Sequence, residues 1–246
     1  MSTLPPIAPA PAAVPAPGAF AHTEFRFTTG LRSGETATVW GANGEELLTY
    51  RSFAGVIGTV AALLAGIVGV AGLASTLFLF AEGAPLRATV VLILTIVFTA
   101  CIAYLAPRTE VTLFETGQPA LTLSQRSIFP AATYTLTTPN GTRLAEIRKA
   151  PLSRFGRNRW TILHEGRYLG EAAEASLFGA LVRKLYGKFS RRFETDVLVT
   201  HGGVEAARIL RRPDPSGRAD LLQIFNDTLD RRVLVGVATL ILGREP

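Results

Sequence analysis

A single cysteine, Cys101, stands among the 246 residues. That excludes an intramolecular disulfide framework and a thiolate-rich metal site, so neither a stapled secreted scaffold nor a zinc ribbon is open to this chain. Charge is scarce as well: Asp, Glu, Lys and Arg make up 18% of residues and the mean hydropathy is +0.30, whereas an ordinary soluble domain is roughly 25% charged. Catalytic signatures are missing. The three histidines, His22, His164 and His201, belong to no HExxH, there is no GxSxG or P-loop, and the carboxylates are scattered without a suggestive pair. No catalytic residue, metal site or cofactor is therefore assigned, and the expectation is a non-enzyme. The formal charge of +6 suits nucleic acid or an anionic membrane surface, but no helix-turn-helix, zinc-finger or RNP-like run accompanies it, so nucleic acid is not expected as a partner.

What is present explains the low charge. Residues 53–80 and 88–107 are two runs without a single charged residue, 28 and 20 residues long. At about 1.5 Å per helical residue, the shorter run spans the ~30 Å of a hydrocarbon core and the longer one spans it with a tilt or a protruding turn. The linker 81–87 contains Gly83 and Pro85, so the helices return as a transmembrane hairpin over 53–107 and both flanking segments share one compartment. Arg51, Arg108 and the arginines from Arg126 onward lie on that side, against Arg87 alone in the linker. This bias puts both termini in the cytoplasm, with the hairpin in the cell (inner) membrane. Gly58, Ala62 and Gly66 recur at four-residue spacing, with Ala65 and Gly69 beside them. Such rows let helices approach closely, and two occupants stay open: the second helix, which offers Thr95 and Thr99, or a second copy or another membrane protein. Cys101 lies inside the second run, where a low dielectric disfavours a thiolate, and reads as a packing residue. No charge inside either run suggests an ion pathway.

Residues 1–20 form a proline- and alanine-rich segment without charge, expected to be a mobile tail; Pro6-Ile7-Ala8-Pro9 matches PxxP only weakly. From residue 21 to 52, and again from 108 to 246, short alternating runs such as Phe25-Arg26-Phe27, Val111-Thr112-Leu113, Tyr134-Thr135-Leu136 and Val197-Leu198-Val199 alternate with turn signals such as Pro139-Asn140-Gly141 and His201-Gly202-Gly203. Roughly ten or more antiparallel strands imply a closed barrel or a sandwich. The ten uncharged residues 233–242 are too short to cross a bilayer and read either as a buried strand or as a helix apolar on all sides.

The order of these elements resembles the tubby C-terminal-like superfamily, which includes the LURP-one-related proteins and the phospholipid scramblases. The resemblance covers 21–52 and 108–242 and rests on strand-turn-strand units such as 132–149 and 157–169, ending in 220–242. It implies an all-β antiparallel barrel of about twelve strands around a hydrophobic C-terminal helix near 230–242, introduced by Asp230. An enclosing barrel explains how so short a helix can be apolar all round. Two features depart from the family. The hairpin interrupts the barrel after its first strands, and the stretch 220–230 has three carboxylates, too sparse for the six to eight oxygens calcium prefers.

The surplus charge falls in two clusters. Arg143, Arg148, Lys149, Arg154, Arg157 and Arg159 face only Glu146 in their window; Arg183, Lys184, Lys188, Arg191 and Arg192 face no acid between residues 176 and 193. Each basic residue near anionic lipid contributes about 1 kcal/mol, decaying over a Debye length of ~8 Å. These residues are the candidates for lipid-headgroup contact, although a merely solvated face has the same composition. The stretch 177–189 mixes apolar, aromatic and basic residues as an interfacial element does. The expected function is a membrane-anchored barrel module whose basic face contacts anionic lipid or a membrane partner. Scramblase-like lipid transport and a scaffold role in a membrane complex are the rivals.

Overall fold

The computed structural model describes residues 18–28, 36–53, 56–105, 110–127, 131–150, 157–176, 196–211 and 219–244. Twelve strands form it: β1 (Glu24–Thr28), β2 (Thr36–Trp40), β3 (Glu46–Phe53), β4 (Glu110–Glu115), β5 (Gln118–Ser127), β6 (Thr133–Thr137), β7 (Arg143–Lys149), β8 (Arg159–His164), β9 (Arg167–Glu174), β10 (Val197–His201), β11 (Val204–Leu210) and β12 (Ala219–Ile224). Each pairs antiparallel with its neighbours in sequence, and β1 closes on β12 from Glu24↔Gln223 to Thr28↔Ala219. The result is a closed barrel without a free edge.

Alternation along the strands decides what fills it. Phe25 and Phe27, Leu121 and Leu123, Ile147, Trp160 and Ile162 are buried, while Arg26, Arg148 and Arg159 between or beside them are exposed. The inward side chains close on α3 (Arg231–Arg244). Asp230 opens this helix: its carboxylate accepts from the Arg232 backbone N–H at 2.8 Å and its carbonyl accepts from Val233 and Leu234, satisfying donors that a helix start otherwise leaves bare. Every residue from Val233 to Leu242 is buried. The one hydroxyl in this stretch, on Thr239, donates to the Val235 carbonyl at 2.8 Å. Gly236 is required by the fit, because a Cβ there would lie 2.7 Å from Leu136 Cδ2. At the far end of α3, Arg211 Nη2 donates to the Ile241 carbonyl at 2.9 Å, a cation placed where helix carbonyls run out of partners.

Between β3 and β4 the chain leaves the barrel as two helices, α1 (Val56–Ala81) and α2 (Pro85–Leu105), which pack on each other. Both are long and apolar enough to cross a membrane. Their turn passes through Gly83 at φ 74°. The contact between them uses Ala65 and Thr76, both buried, with Gly69 against Thr99 and Gly72 against Thr95. The expected row is therefore only partly involved: Ala62 and Gly66 are exposed, and nothing lies within 4 Å of where a Cβ on Gly66 would sit. Gly58 lies in α1 one turn before them.

The segment expected to be a mobile tail needs one correction at its end. Gly18–Ala21 form a single 3-10 turn with Ala19 and Phe20 buried, held by the Ala19 N–H donating to Glu115 Oε1 at 2.6 Å and by Arg231 donating to the Ala21 carbonyl. The buried Phe20 ring gives this piece an anchor that residues of proline and alanine alone would lack. Residues 1–17 and the stretch 177–189 lie outside the described residues.

Candidate functional site

An up-and-down barrel sorts its connections into two sets. β2–β3, β4–β5, β6–β7, β8–β9 and β10–β11 join at one end, and the chain passes from β12 into α3 there as well. These joins are tight. Thr116-Gly117, Glu165-Gly166 and Gly202-Gly203 are two-residue turns with positive φ at both positions, the geometry that matches strand twist. We call this the turn end. The strand ends that flank the other five connections and the helical hairpin lie at the opposite end, as does the C-terminus of α3; this is the root end.

Charge follows the same division. The root-end connections other than the hairpin, 29–35, 128–132, 150–158, 175–196 and 211–218, contain eleven Lys and Arg against four Asp and Glu, a surplus of +7. Those at the turn end, 41–45, 116–117, 138–142, 165–166, 202–203 and 225–230, contain four acids and no base. Two of these acids are matched by arginine, Arg231 binding Asp227 and holding its carboxyl below the usual range and Arg232 binding Asp230 at 2.6 Å, and a third, Glu45, lies 3.5 Å from His22 Nδ1.

The sheet separates the first basic cluster. Arg143 opens β7 at the turn end and bonds Glu146, whereas Lys149 closes β7 at the root end, about 20 Å further at a strand's rise per residue. Arg148 also bonds Glu146. Arg159 is held by Glu171 through two hydrogen bonds of 3.1 and 2.6 Å, which push its guanidinium pKa up. Glu171 lies on the neighbouring strand, so a linear window could not count it; the register Thr161↔Glu171 brings it in. Arg143, Arg148 and Arg159 thus sit on the outer wall as members of ion pairs, and exposed pairs of this kind carry little net field. Lys149 instead turns inward at the rim, its Nζ 5.5 Å from the centre of the Trp160 ring, a cation–π contact. Arg157 lies two residues before β8, with Nε buried and without a hydrogen-bond partner. Arg154, Arg183, Lys184, Lys188, Arg191 and Arg192 lie outside the described residues. Their connections nonetheless begin and end at the root end, at Lys149 and Arg159 for the first and at Glu174 and Val197 for the rest.

Two root-end arginines are not among the lipid-headgroup candidates. Arg51 is exposed near the end of β3, and Arg211 is buried against α3. Counting strands from the hairpin was the signal that could have found them. Beneath this rim Asn158, Glu174 and Asp196 are bonded, whereas Arg157 Nε and Arg211 Nε are buried without a partner. The Asn158 N–H and amide both donate to Glu174 at 3.0 Å, and the Arg211 N–H donates to Asp196 at 3.2 Å.

Comparison with protein families, curated proteins and solved structures finds no match. Among the described residues, no group of three or more His, Cys, Asp and Glu side chains comes together as a metal site. His164 and His201 each place Nδ1 against a backbone carbonyl, of Leu144 and Leu169 respectively. Cys101 is exposed on the outside of α2.

Proposed function

We propose that this protein is a membrane-anchored, non-enzymatic barrel module of the tubby- and scramblase-like kind, whose basic root end contacts anionic lipid headgroups. The observation that carries the reading is that the strands flanking the two lipid-length helices and the strands flanking the base-rich connections end at the same end of the barrel. α1 and α2 are apolar on all sides and expose large side chains, among them Val70, Leu77, Phe78 and Phe98. Water around so much apolar surface is costly, whereas lipid is not. The positive-inside rule then puts the barrel and both termini in the cytoplasm at the cell membrane. A closed barrel around a C-terminal helix is the architecture the superfamily resemblance implies, which favours that resemblance.

Anchoring is favoured over lipid transport by the hydroxyls of the hairpin. Those of Ser75, Thr76, Thr89 and Thr95 each donate to the carbonyl four residues earlier in their own helix, so their protons are engaged within the helices, and Thr99 Oγ1 is buried rather than open to a path. The test uses the full-length chain in nanodiscs of phosphatidylcholine with and without phosphatidylglycerol. Amide exchange in residues 148–150 and 157–159 is expected to slow in the anionic discs and to recover at high salt, while residues 138–142 at the turn end stay unchanged. Identical exchange of the root end in both discs counts against lipid contact.

A further inference from the structure

We propose that the β1–β2 joint is a gate: the barrel opens there from its root end, and the hydroxyls of Tyr50 and Thr28 are the latch that holds it shut. Such a gate belongs to the barrel wall alone and does not depend on the lipid contact proposed above.

The ladder is thinnest at this joint. All five residues of β1 pair with β12, from Glu24↔Gln223 to Thr28↔Ala219, and all five of β2 pair with β3. Between β1 and β2 themselves, among the described residues, only Arg26↔Trp40 and Phe27↔Val39 are partners. Every other joint of the barrel has four or more such pairs. Each strand of the joint is thus held firmly on its far side and loosely on its near one, and local opening follows the path that breaks the fewest bonds.

Both pairs lie toward the turn end. Toward the root end Thr28 and Thr38 come next, and they are not ladder partners. Their carbonyls are taken by side chains instead: the Tyr50 hydroxyl donates to the Thr28 carbonyl at 2.8 Å, and Thr28 Oγ1 donates to the Thr38 carbonyl at 3.0 Å. A backbone carbonyl left bare away from water costs free energy, so these hydroxyls supply the closure that the ladder does not. Tyr50 belongs to β3 and reaches past β2 to do so, its ring meeting that of Phe27 edge-on with centroids 6.2 Å apart. Releasing the two hydroxyls frees the root-end half of the joint without breaking either ladder pair.

The turn-end half is tied more heavily. The Ala19 N–H donates to Glu115 Oε1 at 2.6 Å, and His22 Nδ1 lies 3.5 Å from Glu45 Oε1. Residues 18–22 run into β1, whereas Glu45, in the β2–β3 turn, and Glu115, at the end of β4, belong to the β2 side of the joint, so both contacts bridge it. Arg231 at the start of α3 donates to the Ala21 and His22 carbonyls as well. Tied at one end and latched at the other, the joint hinges at the turn end and swings open at the root end. Opening uncovers Phe27 and Tyr50, 0% and 1% exposed in the closed barrel, and gives the apolar interior around α3 an entrance through the wall.

The test uses the full-length protein in a Cys101→Ala background, with spin labels on pairs of new cysteines and the distance between them read by pulsed electron resonance. Thr36→Cys with Ala219→Cys straddles the joint at the root end, on β2 and β12; Asn43→Cys with Val204→Cys straddles it at the turn end. None of the four takes part in the latch. The root-end pair is expected to show a second, longer distance whose population rises about fivefold in Tyr50→Phe, the equilibrium factor of one lost hydrogen bond. Thr28→Val, which removes the other strap, is expected to act in the same direction, while the turn-end pair keeps a single distance throughout. Thr239→Val deletes a buried hydroxyl bond within α3 instead and is expected to leave both distributions unchanged. A single distance at the root end in the parent and in both latch variants overturns the gate. A longer population at the turn end overturns the hinge, and a rise in Thr239→Val equal to that in Tyr50→Phe overturns the latch, because general loosening then accounts for it. Thr28→Val carries the test if Tyr50→Phe does not fold.

Discussion

Two parts of this chain are helices apolar on every side, and they meet opposite fates. In α3 every residue from Val233 to Leu242 is enclosed by the barrel; in α1 and α2 about nine-tenths of the span faces outward. Length separates them. Fourteen residues make α3 about 21 Å long, the depth of a barrel, whereas the 26 residues of α1 and 21 of α2 reach about 39 and 31 Å, the depth of a bilayer. Apolarity all round states only that a helix must be enclosed. What encloses it is decided by length and by what the rest of the chain can build.

The strongest way to break this comparison is to put the same charge into each helix. Val237→Asp buries a carboxylate where Val237 is 0% exposed. The penalty of several kcal/mol approaches the whole 5–15 kcal/mol stability of a domain, so the barrel is expected not to fold. Val70→Asp instead faces outward from α1 at 72% exposure. Its cost of about 3 kcal/mol falls on membrane insertion alone, leaving a folded barrel with the hairpin poorly integrated. Circular dichroism and carbonate extraction of both variants separate the outcomes; loss of the barrel in both would merge the two environments into one. A milder version exchanges hydrogen for methyl. Gly236→Ala drives a Cβ against Leu136 and is expected to cost about 1–3 kcal/mol by overpacking. Gly66→Ala meets nothing within 4 Å, and helix propensity then favours the variant by up to about 1 kcal/mol. Thermal melts of both in one detergent give the ranking.

Much of this contrast is legible in the sequence, and the illegible part has a cause. Two uncharged runs separated by Gly83 and Pro85 read directly as paired helices because composition alone carries the signal. Alternation in Phe25-Arg26-Phe27 or Tyr134-Thr135-Leu136, with turn residues at regular intervals, reads as strands for the same reason. The segment 233–242 stays ambiguous until a barrel is there to hold it, since periodicity cannot tell a buried strand from a fully enclosed helix. The basic site is harder. Arg143 and Lys149 are six positions apart in sequence, yet the strand puts them at opposite ends; Arg159 and Glu171 are twelve apart, yet the sheet joins them. Linear windows add charges that three dimensions separate. Sorting by strand direction recovers the polarity between the ends, and that count needs every strand placed, including β2 and β11, whose runs are weak when taken singly.

The smallest effect we predict probes how dry the enclosed side is. Tyr50 lies inside the barrel, 1% exposed, and its hydroxyl donates to the Thr28 carbonyl at 2.8 Å. Burial, helped by the nearby charge of Asp220, pushes its phenol pKa well above the ordinary value of about 10. An unfolded chain releases that proton near pH 10 while the folded barrel retains it, so above this point the unfolded state binds fewer protons and stability falls as pH rises. Stability from this source is complete below about pH 10. Tyr50→Phe loses the hydrogen bond, about 1 kcal/mol at neutral pH, and is expected to flatten the alkaline decline. Denaturant melts of both proteins at neutral and alkaline pH measure the two effects together. An equally steep alkaline decline in Tyr50→Phe means that the phenol already meets water in the folded barrel, and the sharp contrast between the enclosed helix and the exposed pair would weaken with it.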